Sequence, residues 1–219
     1  MLSDKELYPV KVAAQEILSK TSKLIKFTRF CDFRAGQVMY ITTDLSIPPR
    51  MYSIASAEES ELIEILYKIV PEGELTPKLN DLKNGSVLYV SKAFGQFTCK
   101  NEPAYFIAGG TGLAPFLSMI RSGNYTDKIL IHGSRNLNDF YFSSELKKKL
   151  SENYIPCYTG KEKATCFQGR VTDYLLQNIE LMPDYKYYIC GSAEMVVDTR
   201  ETLIREGIPF SNIHAEIYF

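Results

Sequence analysis

The stretch YFIAGGTGLAPF, residues 105–116, carries the pattern with the clearest chemical use. An apolar run closes on Gly109 and Gly110, Thr111 and Gly112 follow, and Pro115 opens a helix-like segment. Glycines let a backbone come close to a pyrophosphate, and a helix N-terminus adds N–H groups and partial positive charge. Gly110-x-Gly112-x-x-Pro115 therefore reads as a dinucleotide-binding turn with proline in its third small position, and proline suits a first helical turn. No G-K-[ST] follows, which removes the Walker-type phosphate loop. The plainer alternative is a tight strand-to-helix connection that holds no ligand; the position at the head of a βαβ run favours the ligand.

About twenty residues after such a turn, an NAD site shows an acid for the ribose 2′-hydroxyl. Here the next strand ends IHGSRN, so Ser134 and Arg135 stand in that place. An arginine accommodates a 2′-phosphate where an acid would repel it, and Lys161 in YTGKEK is a further candidate. The expected nucleotide is NADP(H) rather than NAD(H). For each cation the bland reading is a solvated loop side chain.

The first half offers a second set of polar residues. In RMYSIAS, Arg50 is a long cation, Tyr52 a ring with a hydroxyl and Ser53 a short hydroxyl. On a strand, Arg50 and Tyr52 share one face and Ser53 takes the other. An amphipathic strand with an incidental arginine has the same pattern. Downstream, PEGELT supplies Gly73-x-x-Thr76, and AFGQF a turn flanked by aromatics. The chain closes on SNIHAEIYF, where Glu216 precedes Tyr218 and Phe219. Two terminal rings suit either a last strand that plugs a core or a flat ligand to lie against.

Two kinds of element must position these residues. Up to about residue 100, short β-rich runs (YPVKVAAQEIL, KLIKFTRF, QVMYITT, MYSIAS, ELIEILYKIV, SVLYVS) alternate with turns, as in an antiparallel barrel or sandwich. From PAYFIAGG onward, buried-looking strands alternate with helical stretches, which implies a parallel sheet covered by helices. The change of grammar falls near CKNEP, residues 99–103.

Composition narrows the classes further. A net charge of −1 over 219 residues argues against a nucleic-acid footprint. The basic run Lys147–Lys149 follows Glu145 in a helical stretch and reads as a solvated face. No apolar leader opens the chain and no apolar run is long enough to span a bilayer, so the expectation is a cytoplasmic protein with no membrane association. Five scattered cysteines without C-x-x-C spacing and two histidines predict no metal site. Any redox cofactor is therefore expected to be organic.

Taken in order, R-x-Y-S (Arg50–Ser53), G-x-x-[ST] (Gly73–Thr76), G-G-T-G-x-A-P (Gly109–Pro115), C-G (Cys190–Gly191) and a terminal aromatic resemble the ferredoxin–NADP reductase superfamily. The match covers essentially the whole chain. The closing A-E-x-Y-aromatic is most similar to bacterial ferredoxin or flavodoxin–NADP reductases. FRAGQVMYI resembles the family's F-x-P-G-Q strand, with Ala35 where proline is usual.

The resemblance implies a two-domain fold: an antiparallel FAD-binding β-barrel over residues 1–100, then an α/β NAD(P)-binding domain with a parallel sheet over 101–219. It implies that Arg50, Gly73 and Thr76 hold the FAD pyrophosphate, that Tyr52 flanks the isoalloxazine, and that Ser53 sits beside flavin N5. Cys190 and Glu216 would lie at the nicotinamide end, Tyr218 would cover the flavin face, and Phe219 would be the extra ring of the bacterial type. The catalytic set is then Ser53, Cys190, Glu216 and Tyr218. A buried core thiol, a solvated edge-strand charge and a core plug stay open for Cys190, Glu216 and Phe219.

The implied reaction is hydride transfer between NADP(H) and FAD, followed by single-electron exchange with ferredoxin or flavodoxin. One alternative is the reductase component of a multicomponent oxygenase, though such proteins often carry a fused cluster of cysteines that is not seen here. A free-flavin reductase is another. A non-catalytic flavin or dinucleotide sensor subunit is the third, and it need not keep Ser53, Cys190 and Glu216 together.

Overall fold

Alternating polarity in the first hundred residues becomes alternating burial. β1 (Tyr8–Ile17), β2 (Ser22–Thr28), β3 (Val38–Thr42), β4 (Arg50–Ser53), β5 (Leu62–Lys68) and β6 (Val87–Val90) form one antiparallel sheet in the order β4-β3-β6-β1-β2-β5. These elements come from a computed structural model that describes residues 6–178 and 181–218. The sheet curls until Ile54 and Ile65 form a single bridge and the Ala55 N–H donates to the Glu64 carbonyl at 2.8 Å. Its two edges thus meet at one point without a continuous ladder, giving a barrel-like sheet that is not fully closed. Inside lie Ile25, Phe27, Met39, Ile41, Ile63 and Leu88, all fully buried. A short helix, α1 (Thr76–Asp81), follows β5.

The second half builds a parallel sheet. Its strands are β7 (Ala104–Gly109), β8 (Lys128–Ser134), β9 (Tyr154–Tyr158), β10 (Phe167–Gln168), β11 (Lys186–Ser192) and β12 (Ile213–Tyr218), in the order β10-β9-β8-β7-β11-β12. Between them run α2 (Ala114–Arg121), α3 (Ser143–Leu150), α4 (Val171–Asn178) and α5 (Ala193–Arg205). Residues 104–108 of β7 are all buried, as a central strand covered on both faces requires. The chain moves outward from β7 through β8 and β9, then returns to place β11 on the other side of β7. Such a reversal opens a crevice at the carboxyl ends of the two central strands, where α/β sheets bind ligands.

By internal contacts the chain divides into two units. One runs to Thr98 and includes Leu117–Ser122; the other comprises Cys99–Phe116 and the chain from Gly123 onward. Within the first, Ser118 Oγ donates to the Ser56 carbonyl at 2.6 Å, and Arg121 Nη1 reaches Glu64 Oε2 at 2.7 Å and the Ala55 carbonyl at 3.2 Å. The last turn of α2 is thereby fastened to the residues that follow β4.

Two elements differ from the sequence reading. α1 and β10 were not expected, because six and two residues are too few to show a period. α1 starts at Thr76 itself, with a proline in its first turn. Among the described residues, no helix is long and apolar enough to cross a membrane, and no group of three His, Cys, Asp or Glu side chains could hold a metal ion.

Candidate functional site

The glycine turn sits at the carboxyl end of β7. Gly110–Leu113 form one 3-10 turn that passes directly into α2. Gly110 has φ +54°, a conformation L side chains rarely adopt, with open space around it. Gly112 is constrained by packing instead. A Cβ there would lie 2.3 Å from the Cys190 carbonyl oxygen and 2.8 Å from the Gly191 Cα. The turn therefore presses its backbone against the end of β11, while Gly110 and Thr111 stay partly exposed. A backbone cradle at a helix start, with no side chain in the way, fits a phosphate group.

Cys190 is the next residue in this corner. It lies two residues before the end of β11, is fully buried, and sits opposite Glu216 in the β11–β12 ladder, as Ser192 lies opposite Tyr218. Burial pushes the Cys190 thiol well above its ordinary pKa, the Glu216 charge pushes it the same way, and a hydrogen bond with Tyr218 opposes them. The thiol is therefore protonated at neutral pH, a weak donor rather than a nucleophile. β12 is the edge strand, yet Glu216 and Tyr218 are both half-buried on it. Phe219 lies outside the described residues.

The 2′-phosphate candidates sit at the ends of β8 and β9. Ser134 Oγ donates to the Asn136 carbonyl at 2.9 Å and accepts from the Asn136 N–H at 3.1 Å, which shapes the turn holding Arg135 outward. Arg135 Nη2 lies 4.0 Å from Glu194 at the start of α5. Arg170, just before α4, reaches the same carboxylate at 3.8 Å and Asp198 at 3.4 Å. Two exposed guanidiniums thus share one carboxylate. Lys161 is exposed on the loop after β9. Sequence reading passed over Arg170, since no spacing rule links it to Arg135 across β9 and β10.

In the first unit, β4 pairs with β3 so that Arg50 faces Ile41 and Tyr52 faces Met39. Arg50 is exposed, while Tyr52 is half-buried against the barrel core and its phenol is pushed up to about 12, chiefly by burial. Ser53 is buried on the opposite face, paired with Val38. Gly73 donates its N–H to the Val70 carbonyl at 2.9 Å. Thr76 Oγ1 accepts from the Val70 N–H at 2.9 Å and donates to the Val70 carbonyl at 3.2 Å. Its hydroxyl holds the loop between β5 and α1 in shape.

The sequence reading also missed His132. It is fully buried on β8, with Nε2 3.3 Å from the Gly110 carbonyl and Nδ1 3.4 Å from the Tyr154 hydroxyl. Burial holds its pKa down at about 4. A lone histidine in an apolar strand gives no local signal of such contacts.

Comparison with known proteins agrees with this geometry. Residues 106–201 match the family profile described as the oxidoreductase NAD-binding domain. A ferredoxin–NADP reductase of Pseudomonas aeruginosa is 33% identical over 213 residues, covering 82% of this chain and 81% of the relative. Reductase component 1 of terephthalate 1,2-dioxygenase from a Comamonas species is 30% identical over 85% of this chain, which spans 59% of that protein. In fold, the chain is similar to a ferredoxin NADP+ reductase of Neisseria gonorrhoeae solved with bound FAD and NADP, with TM-score 0.89 and 22% identity over 99% of this chain and 100% of that one. With a curated relative at that identity over most of both chains, and a barrel-like sheet followed by a parallel one, the chain belongs to the ferredoxin–NADP reductase family.

Proposed function

We propose that this chain is a flavoenzyme that moves hydride between NADP(H) and FAD and exchanges single electrons with a ferredoxin- or flavodoxin-type protein. The observation that carries this reading is the gathering of Gly110–Leu113, Cys190, Glu216 and Tyr218 at the carboxyl ends of β7, β11 and β12. That arrangement supports a nicotinamide dinucleotide with its phosphates at the turn and its reactive ring by the thiol. Arg135 and Arg170, with Ser134 shaping their corner and Lys161 nearby in sequence, are assigned to the 2′-phosphate.

Residues 1–100 are assigned to FAD and residues 101–219 to the nucleotide. Arg50 is an exposed cation suited to a pyrophosphate, Tyr52 offers a ring, and Ser53 a hydroxyl for the flavin N5 edge. Gly73 and Thr76 contribute a loop whose shape is already fixed by Val70. Bound FAD supplies what no side chain here has, acceptance of two electrons as hydride and their release one at a time. The chain supplies proximity, which is worth several kcal/mol when both reactants are held in place. Tyr218 is assigned to cover the flavin and to yield its place to the nicotinamide, with Phe219 beside it. Glu216 is assigned to orient the nicotinamide or relay a proton, and Cys190 to donate its S–H.

A second reading, the reductase half of an oxygenase system, draws support from the Comamonas relative. The two differ in acceptor, so one experiment serves both. The purified protein should hold FAD, and its visible flavin band should bleach under anaerobic NADPH faster than under NADH. Reduced protein should then pass electrons to a ferredoxin or flavodoxin; transfer only to an oxygenase-type iron–sulfur protein would select the second reading. A chain that binds no flavin, or a flavin reduced by neither nucleotide, rejects both.

A further inference from the structure

Beneath the glycine turn lies a titratable group that hydride transfer does not use. A backbone carbonyl can only accept a hydrogen bond, so the contact at 3.3 Å between His132 Nε2 and the Gly110 oxygen requires the proton on Nε2. That leaves Nδ1 as an acceptor, and the Tyr154 hydroxyl, 3.4 Å away, donates to it. The Phe140 ring packs edge-on against the imidazole at 5.3 Å and 88°. These groups come from three successive strands and their ends, and they form one chain of contacts from β9 through β8 to the turn after β7.

In a trans peptide the carbonyl oxygen and the following N–H point in opposite directions. Holding the Gly110 oxygen toward His132 therefore aims the Thr111 N–H away from it, on the exposed side of the turn. Gly110 has no side chain and open space around it, so only the short 3-10 turn and the His132 contact oppose a rotation of its peptide that would present the carbonyl instead. A carbonyl facing a phosphate repels it, whereas an N–H binds it.

We infer that His132 is a positioning residue for the dinucleotide turn: its Nε2–H pins the Gly110 carbonyl so that the Thr111 N–H faces the phosphate, and Tyr154 fixes the tautomer that permits this. The inference rests on the reading of Gly110–Leu113 as the phosphate turn. An imidazole held neutral by burial, with a pKa near 4, keeps this arrangement across physiological pH.

The test uses the full FAD-loaded chain with two probes, NADP+ and 2′-AMP, the second of which has no pyrophosphate. H132L should raise the Kd for NADP+ about fivefold, the scale of one lost hydrogen bond, and leave 2′-AMP unchanged. H132Q, which keeps an N–H near the Nε2 position, should stay within about twofold of wild type. The chain has only two histidines, so long-range proton–nitrogen spectra of labelled wild-type protein should show one ring as the Nε2–H tautomer whose signal moves on NADP+ addition. An Nδ1–H tautomer, or equal losses for NADP+ and 2′-AMP in H132L, overturns the inference. Should H132L fail to fold, Y154F and the wild-type spectrum decide: Y154F should weaken NADP+ selectively, and no change overturns it. Wild-type protein that binds NADP+ no more tightly than 2′-AMP would instead count against the phosphate turn itself.

Discussion

Cys190 and Glu216 face each other across the parallel ladder of β11 and β12, one fully buried and the other half-buried. Because burial and the neighbouring carboxylate both raise the thiol pKa, Cys190 keeps its proton through neutral pH. C190A should therefore slow flavin reduction by NADPH about a hundredfold in stopped-flow, the lower end for a lost proton-handling group, while C190S keeps most of the rate. E216Q removes the charge that raises the thiol pKa and should shift it downward. Wild-type rates in C190A would remove the thiol from the mechanism.

The two glycines of the turn should fail differently. G112A forces a methyl group into the Cys190 carbonyl and should destabilise the chain by about 1–3 kcal/mol, with NADP+ affinity lost. G110A meets open space and costs only its backbone conformation, about 1 kcal/mol. Thermal melts and NADP+ titrations of the two variants compare these costs directly. Equal effects would mean that the turn does not pack as described.

Arg135 and Arg170 share Glu194, so their charge is partly spent on the protein itself. The double variant R135A/R170A should lower the NADPH-over-NADH ratio of kcat/KM by about tenfold or more. E194Q should act oppositely, tightening NADP+ a few-fold by releasing Arg135 and leaving Arg170 to Asp198 alone. Selectivity unchanged in the double variant would place the 2′-phosphate elsewhere.

If Tyr218 stacks on the flavin, the nicotinamide must displace it, at a cost of about 1 kcal/mol. Y218S, or loss of Tyr218 and Phe219 together, should then tighten NADP+ several-fold and relax the preference for NADPH. Titration of the oxidised protein reads this. Unaltered affinity and preference would reject the gate.

His132 also gives stability a defined pH dependence. Its folded pKa of about 4 lies below the ordinary histidine value near 6.5, so the unfolded chain binds the proton first. The residue's contribution is intact above pH ~6.5 and is lost progressively as the pH falls toward 4, by about 3 kcal/mol in all and about 2 kcal/mol at pH 5. Denaturant unfolding at pH 7 and pH 5 should show a smaller acid loss in H132Q than in wild type. An equal loss in both would mean that the imidazole titrates normally.

Much of this protein is legible in its sequence alone. Period-two runs and their turns announced a β-rich first half, and buried strands alternating with helices announced a parallel sheet in the second. The glycine turn and R-M-Y-S were readable for the same reason: turn chemistry and strand alternation depend on residues a few positions apart. The α1 helix and β10 were too short to leave such a trace.

What only the tertiary structure decided are the relations between distant residues. Strand order put β11 beside β7, which set Cys190 against Gly112 and opposite Glu216. It also brought Arg170 to the carboxylate that Arg135 reaches, and set His132 against the Gly110 carbonyl. Periodicity fixes which face of a strand is buried but not which strand lies next to it. That choice is made when whole faces pack, and the side chains at the strand ends meet only as its consequence.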